Sequence, residues 1–211
     1  MLEKMFRTIH IEGLDLAGKS TISKFIAKTQ GFELRNNSLL PIGRNPFVIK
    51  ADQLRKIGAV GNANIGEIYL DALKYDIVEY NNVANGTTIV QDSTIIIRSI
   101  AYHTVYGNNE LAEEFRALLP MHPRFNVSCL LTASDVVRKM RLRGRISRHN
   151  DNPEDYLIYS DPEKFYAMEN IIKEIILNEF NGVIIDSSML EQEGEKERIT
   201  DMILEKSEMS H

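Results

Sequence analysis

Apolar and polar positions along the chain switch between a period of two and a period near 3.6, and each switch marks an element. Phe6 to Glu12 reads as a strand, and Lys19 to Thr29 as a helix with Ile22, Phe25 and Ile26 on one face. A second strand is predicted near Phe32 to Leu34, followed by an irregular segment, RNNSLLPIGRNP from Arg35 to Pro46, in which Asn, Gly and Pro break both periods. Ile65 to Val83 predicts a helix, carried by Ile68, Ala72, Tyr75 and Val83, and NNVANG stops it. Thr87 to Asp92 is a compact β-branched run, so it predicts a buried strand with Asp92 at its carboxyl end. Helices are predicted at Ile95 to Tyr106 and at Glu110 to Leu119. RFNVSCLLT, from Arg124 to Thr132, predicts a fourth strand, and Ser134 or Asp135 is the N-cap of the helix after it. The polar stretch SRHNDNPEDYLIYSDP comes next, then an amphipathic helix from Glu163 to Phe180, a strand in GVIID and a last helix in EKERITDMILEKS.

Alternating strands and helices with β-branched strands predict an α/β fold, a central five-stranded parallel sheet covered by helices on both faces. The 211 residues fit one domain. In such sheets ligands gather at the carboxyl ends of the strands, which puts GLDLAGKST, Asp92 and the DSS after the last strand along one edge.

Composition narrows the class. A hydrophobic share of 43% with 26% charged residues is that of a soluble globular protein. The net charge of −5 argues against a nucleic-acid polymer as the main partner, because binding a phosphate backbone needs clustered positive charge. The single cysteine, Cys129, excludes an internal disulfide and a multi-cysteine metal site, and its apolar neighbours predict an inert buried thiol. No apolar stretch reaches bilayer length and none resembles a secretory signal, so no membrane partner and a cytoplasmic location are expected.

The candidate chemistry lies at the first strand-to-helix junction. Gly13 to Ser20 spells G-x-x-x-x-G-K-S, the phosphate-loop pattern in the context it requires. Glycines let the backbone curl until successive N–H groups point at phosphate oxygens, and the following helix adds the positive end of its dipole. The pattern therefore predicts ATP binding by Gly13, Leu14, Asp15, Leu16, Ala17, Gly18, Lys19, Ser20 and Thr21. Lys19 reaches the β- and γ-phosphates, and the Ser20 hydroxyl ligates the accompanying Mg²⁺. Asp92 either holds that metal or caps the turn after its strand.

A second cluster, Arg138, Lys139, Arg141, Arg143, Arg145 and Arg148, crowds eleven residues ahead of the polar stretch. It is either a solvated helix surface or an arginine-rich lid, about 141–160, that neutralises a transferring phosphoryl group.

IEGLDLAGKST resembles the phosphate loop of thymidylate kinases, and the resemblance runs on through most of the chain. YLDALKYDIVE is similar to that family's substrate-binding helix, QDSTIIIRSIAYH to its aspartate strand end and A-Y-Q helix, RKMRLRGR to its lid, and GVIIDSS to its last strand and adenine loop. The resemblance implies a P-loop kinase acting on ATP and a nucleoside monophosphate, as a homodimer. It implies that Asp15 approaches the sugar of the acceptor and that Arg141, Arg143 or Arg145 supplies the arginine missing at Leu16. The family's D-R is Asp92–Ser93 here, which leaves Arg98 as the substitute. Lys74 is the nearest cation for the acceptor phosphate on the substrate helix, Leu70 takes the base-stacking position with Tyr69 beside it, and A-Y-Q becomes Ala101–Tyr102–His103. Arg35 and Arg44 are further candidates for a phosphate clamp, or exposed loop arginines. A deoxynucleoside kinase, a kinase of another small alcohol and a nucleotide-binding regulatory protein remain alternatives; no N-K-x-D guanine motif occurs at a suitable strand end.

Overall fold

The computed structural model describes residues 7–56, 63–83, 87–149 and 153–209. Phe6, the end of the NNVANG stop and residues 150–152 of the expected lid lie outside them. The strands are β1 (Thr8–Glu12), β2 (Glu33–Asn37), β3 (Ile89–Thr94), β4 (Val127–Thr132) and β5 (Val183–Asp186). They form one all-parallel sheet in the order β2-β3-β1-β4-β5. The helices are α1 (Lys19–Gln30), α2 (Pro46–Lys56), α3 (Ala63–Val83), α4 (Ile95–Val105), α5 (Asn109–Ala117), α6 (Asp135–Ile146), α7 (Leu157–Ser160), α8 (Pro162–Asn178) and α9 (Glu195–Met209).

The three inner strands β1, β3 and β4 are buried on both faces, the edge strands β2 and β5 only in part, and the period of two divides the inner side chains between two cores. Ile9 and Ile11 join Val90, Cys129 and Leu131 under α1 and α9, whereas Leu130 belongs to the larger core with α3, α4, α5 and α8. His10 and Glu12 alternate with Ile9 and Ile11 and are wholly buried too. Leaving β1, the chain crosses to β2 on one side; leaving β3, it crosses β1 to reach β4 on the other. The crevice between the carboxyl ends of β1 and β3 is therefore the switch point of the sheet.

The structure departs from the pattern-based reading in three places. β2 continues through Asn37, because Arg35 to Asn37 pair with β3 despite their polar side chains. α2 was not signalled: Phe47, Val48 and Ala51 give it an inner face, but its outer positions Ile49 and the stretch before Pro46 blur the period. β3 runs two residues past Asp92, so the carboxylate stands inside the strand end and not on the turn. Ser134 is the N-cap of α6, accepting the Val137 N–H. Among the described residues no helix is long and apolar enough to cross a membrane.

Candidate functional site

The loop from Gly13 to Gly18 leaves β1 and enters α1 in a conformation that needs its glycines. Gly13 has φ +152° and Gly18 has φ +88°. A Cβ on Gly13 would lie 2.5 Å from the Leu131 carbonyl oxygen, and one on Gly18 would lie 2.6 Å from Leu190 Cδ2. Leu16 holds φ +65° without being glycine, a local strain that the packing of its buried side chain sustains.

Four consecutive carbonyls of this loop accept side-chain hydrogen bonds. Lys19 Nζ donates to Leu14 O at 3.3 Å, Arg138 Nη1 to Asp15 O at 2.7 Å, Arg141 Nη1 to Leu16 O at 2.8 Å and Ser187 Oγ to Ala17 O at 2.6 Å. By contrast, the N–H groups of Asp15, Leu16, Gly18, Lys19 and Ser20 engage no acceptor among the described residues. Carbonyls held by side chains and donors left unpaired make an anion site at the start of α1. Ser20 and Thr21 expose their hydroxyls on its first turn.

Glu12 secures the entrance to the loop. One carboxylate oxygen accepts the Gly13 N–H at 3.0 Å and the other the Thr94 N–H at 3.0 Å, with His10 Nε2 at 3.6 Å. Burial pushes this carboxyl up, but His10, Arg98 and Lys19 outweigh it and hold it below its ordinary range.

Asp15 collects positive charge from four elements. Arg98 of α4 lies nearest, Nη2 to Oδ2 at 3.6 Å. Burial raises the Asp15 carboxyl, and Arg98 first, then Lys19, Arg145 and Arg55, overcome it, so the group is held below the usual carboxylate range. Arg98 is held above its own ordinary value against the cost of burial, by Asp15, Glu12 and Asp92. The Lys19 ammonium is pushed down, by burial foremost and then by Arg98, against Asp15, Asp92 and Glu12. Asp92 is buried and level with Ile11 of β1 and Asn36 of β2.

No family model and no curated protein matches the chain. Solved structures do. The thymidylate kinase of Candida albicans is 17% identical and superposes with a TM-score of 0.66 over 97% of this chain and 92% of its own. This is the fold of the P-loop nucleotide kinases. Deoxyadenosine kinase from M. mycoides shares the kinase fold: with dCMP and dCDP bound it is 20% identical at a TM-score of 0.60, over 94% of this chain and 97% of its own. The same enzyme with bound dCTP gives 0.57, over 94% and 99% at 20% identity.

Within this kinase fold the expected residues separate into groups. Asp15, Lys19, Asp92, Arg98 and Arg145 share one electrostatic field. Arg141 braces the loop, donating also to Ser187 O at 2.6 Å and pairing with Glu191 at 2.6 Å, while Arg143 is exposed on α6. Arg35 is wholly buried and committed to Glu33 at 2.9 Å and to Leu39 O. Arg44 is exposed in the loop after β2, and Lys74 is exposed on α3. Leu70 is in the core, Tyr69 is half-buried beside Arg55, and Tyr102 is exposed and stacked on Tyr106 at 4.4 Å. His103 is buried and stacked on Phe115, with burial pushing its imidazole down.

A cavity of about 320 Å³ opens between the end of β2 and α2 and is lined by Asn36, Asn37, Ser38, Asn45, Asp52 and Ile49 among others. None of its lining residues is a cation. Glu12 and Arg55 complete the site without having been named as candidates, joined by Arg138 of the arginine cluster and by Ser187 of the DSS after the last strand. Glu12 flanks a visible motif, whereas Arg55 sits on the helix that the pattern did not reveal.

Proposed function

We propose that the chain is an ATP-dependent kinase that passes the γ-phosphoryl group to a nucleoside monophosphate, with a thymidylate kinase-like reaction as the leading form. The single observation that carries this reading is the set of unpaired N–H groups of Asp15, Leu16, Gly18, Lys19 and Ser20, backed by side-chain-braced carbonyls and the buried Lys19. A triphosphate tail supplies the missing acceptors.

Hard oxygen donors suit Mg²⁺, which keeps waters and phosphate oxygens in its shell and asks little of the protein. The exposed Ser20 hydroxyl and the Asp92 carboxylate fit that demand, and no cluster of three or more acidic, histidine or cysteine residues among the described residues offers a protein-only cage. When bound, the ion neutralises phosphate charge. The chain's own residues do the remaining work. Lys19 follows the migrating group, Arg98 and Arg145 offset the charge it spreads, and Asp15 orients the acceptor and Arg98 together. The acceptor oxygen forms the new P–O bond as the bridging bond to ADP breaks, so positioning and charge neutralisation suffice and no covalent enzyme intermediate is formed.

The whole chain acts as one kinase domain, with the segment about 141–160 as its lid, as a cytoplasmic homodimer. A second reading, a deoxynucleoside kinase, is favoured by Arg35, whose commitment to Glu33 and Leu39 O removes one phosphate clamp. ADP release measured with deoxynucleosides and their 5′-monophosphates separates the two. Turnover on a monophosphate is the expected result; turnover on nucleosides alone rejects the first reading, and ATP binding without turnover on any acceptor leaves a regulatory protein.

A further inference from the structure

The cations acting on Asp15 include one that no motif accounts for. Lys19 belongs to the phosphate loop, Arg98 to α4 and Arg145 to α6; the fourth, Arg55, ends α2. Its Nη2 lies 2.5 Å from Glu154 Oε1, and its Nη1 donates to the Tyr69 hydroxyl at 3.4 Å. The next residue, Asp155, accepts from Arg145 Nη1. Two adjacent carboxylates of the turn before α7 thus occupy two guanidiniums from two different helices. Carboxylate and phosphate present the same paired oxygens to a guanidinium, so one can replace the other.

Arg35, Arg44 and Lys74 are the other acceptor-side candidates: Arg35 is buried against Glu33 and Leu39 O, while Arg44 and Lys74 are exposed, as Arg55 is. Of these four, Arg55 is the one that ranks among the leading charges on Asp15. It also reaches Tyr69 and the field of Tyr102, so aromatic side chains border it. The braces on the loop carbonyls come from α6 and the end of β5, on the β4 and β5 side of β1; α2 follows β2, on the β3 side. With side chains 42% and 39% exposed, the Arg55–Glu154 pair is worth little as a stabilising contact and is cheap to exchange.

Resting on the kinase reading above, we propose that Arg55 binds the phosphate of the acceptor, and that Glu154 holds its guanidinium until that phosphate arrives. Entry of a doubly charged phosphate displaces the singly charged carboxylate, and Glu154 swings to solvent.

The test is calorimetric binding of dTMP, dCMP, dAMP and dGMP, and of the four matching nucleosides, to wild type, Arg55→Gln, Arg55→Lys and Glu154→Gln. In wild type at least one monophosphate binds about tenfold or more tightly than its nucleoside, the worth of a charge-assisted pair. Arg55→Gln removes most of that advantage while nucleoside and Mg·ATP affinities stay within about twofold, and Arg55→Lys restores part of it, as a point charge would. Glu154→Gln, which frees the guanidinium, tightens the monophosphate about threefold or more. The proposal is overturned if no monophosphate outbinds its nucleoside in wild type, if the advantage survives Arg55→Gln, or if Glu154→Gln weakens it. Should Arg55→Gln not fold, Arg55→Lys and Glu154→Gln decide alone. Loss of Mg·ATP binding by wild type itself would sink the kinase reading, an outcome separate from these.

Discussion

Glu12 accepts the backbone N–H of Thr94 at 3.0 Å, across 82 residues of sequence. Its other oxygen holds the Gly13 N–H, so one buried carboxylate sets the spacing between the phosphate loop and the strand end that carries Asp92. Glu12→Gln turns one acceptor into an NH₂ group facing a backbone donor. The expected costs are about 1–3 kcal/mol of stability, read by denaturant unfolding, and a tenfold to hundredfold fall in kcat from misplaced groups. A variant with wild-type kcat would show that this spacing has no bearing on transfer.

Ser187 anchors Ala17 O, its Oγ lying 2.6 Å from that oxygen and 2.9 Å from Thr132 O, the two carbonyls sharing its one hydroxyl proton. Removing its hydroxyl by Ser187→Ala leaves the loop's last carbonyl unpaired in a wholly buried place. We expect a loss of about 1–2 kcal/mol, divided between stability and Mg·ATP affinity. The KM for ATP should rise while that for the acceptor holds; a rise in both alike would mean that the anchor acts on the whole site.

These two residues illustrate what the amino-acid order reveals and what it hides. The inner strands and the loop were legible because burial on both faces forces apolar, β-branched runs, and because an anion cradle demands glycines at fixed spacing. Arg138 and Arg141 were visible as a charge cluster, but their destinations, the carbonyls of Asp15 and Leu16, depend on a chain crossing that brings α6 to a loop more than a hundred residues away. Arg35 read as a free loop cation because β2 was ended at Leu34; one more strand residue puts it in the interior beside Glu33. Arg55 was hidden with α2, whose half-exposed apolar positions obscure its period.

Gly66 on α3 is required by a close approach. A Cβ there would stand 2.5 Å from Leu111 Cδ2 and 2.7 Å from His103 Cε1. Gly66→Ala gains helix propensity of about 1 kcal/mol, yet the overpacking costs about 1–3 kcal/mol, so a net loss is expected in thermal unfolding. An unchanged or raised midpoint would show that His103 and Leu111 give way freely.

His122 predicts an acid limit to stability. It is buried among Phe125 and Phe180, and burial pushes its imidazole down to about 4, from an ordinary 6.5. The unfolded chain takes up this proton as pH drops below 6.5 and the folded chain does not until about 4. Stability from this group is thus complete above 6.5, declines through that interval and levels below it, a total on the order of 3 kcal/mol. Unfolding midpoints from pH 7 to 4.5 should fall more steeply in wild type than in His122→Phe; equal slopes would acquit this residue.

The direct trial of the central claim is calorimetric titration of Mg·ATP into the folded protein and into Lys19→Ala. The account predicts saturable binding by wild type and an affinity about tenfold or more lower in the variant, since the buried ammonium and the unpaired N–H groups act on the same phosphates. Absence of any binding heat in wild type, or equal affinities in the two proteins, would contradict it.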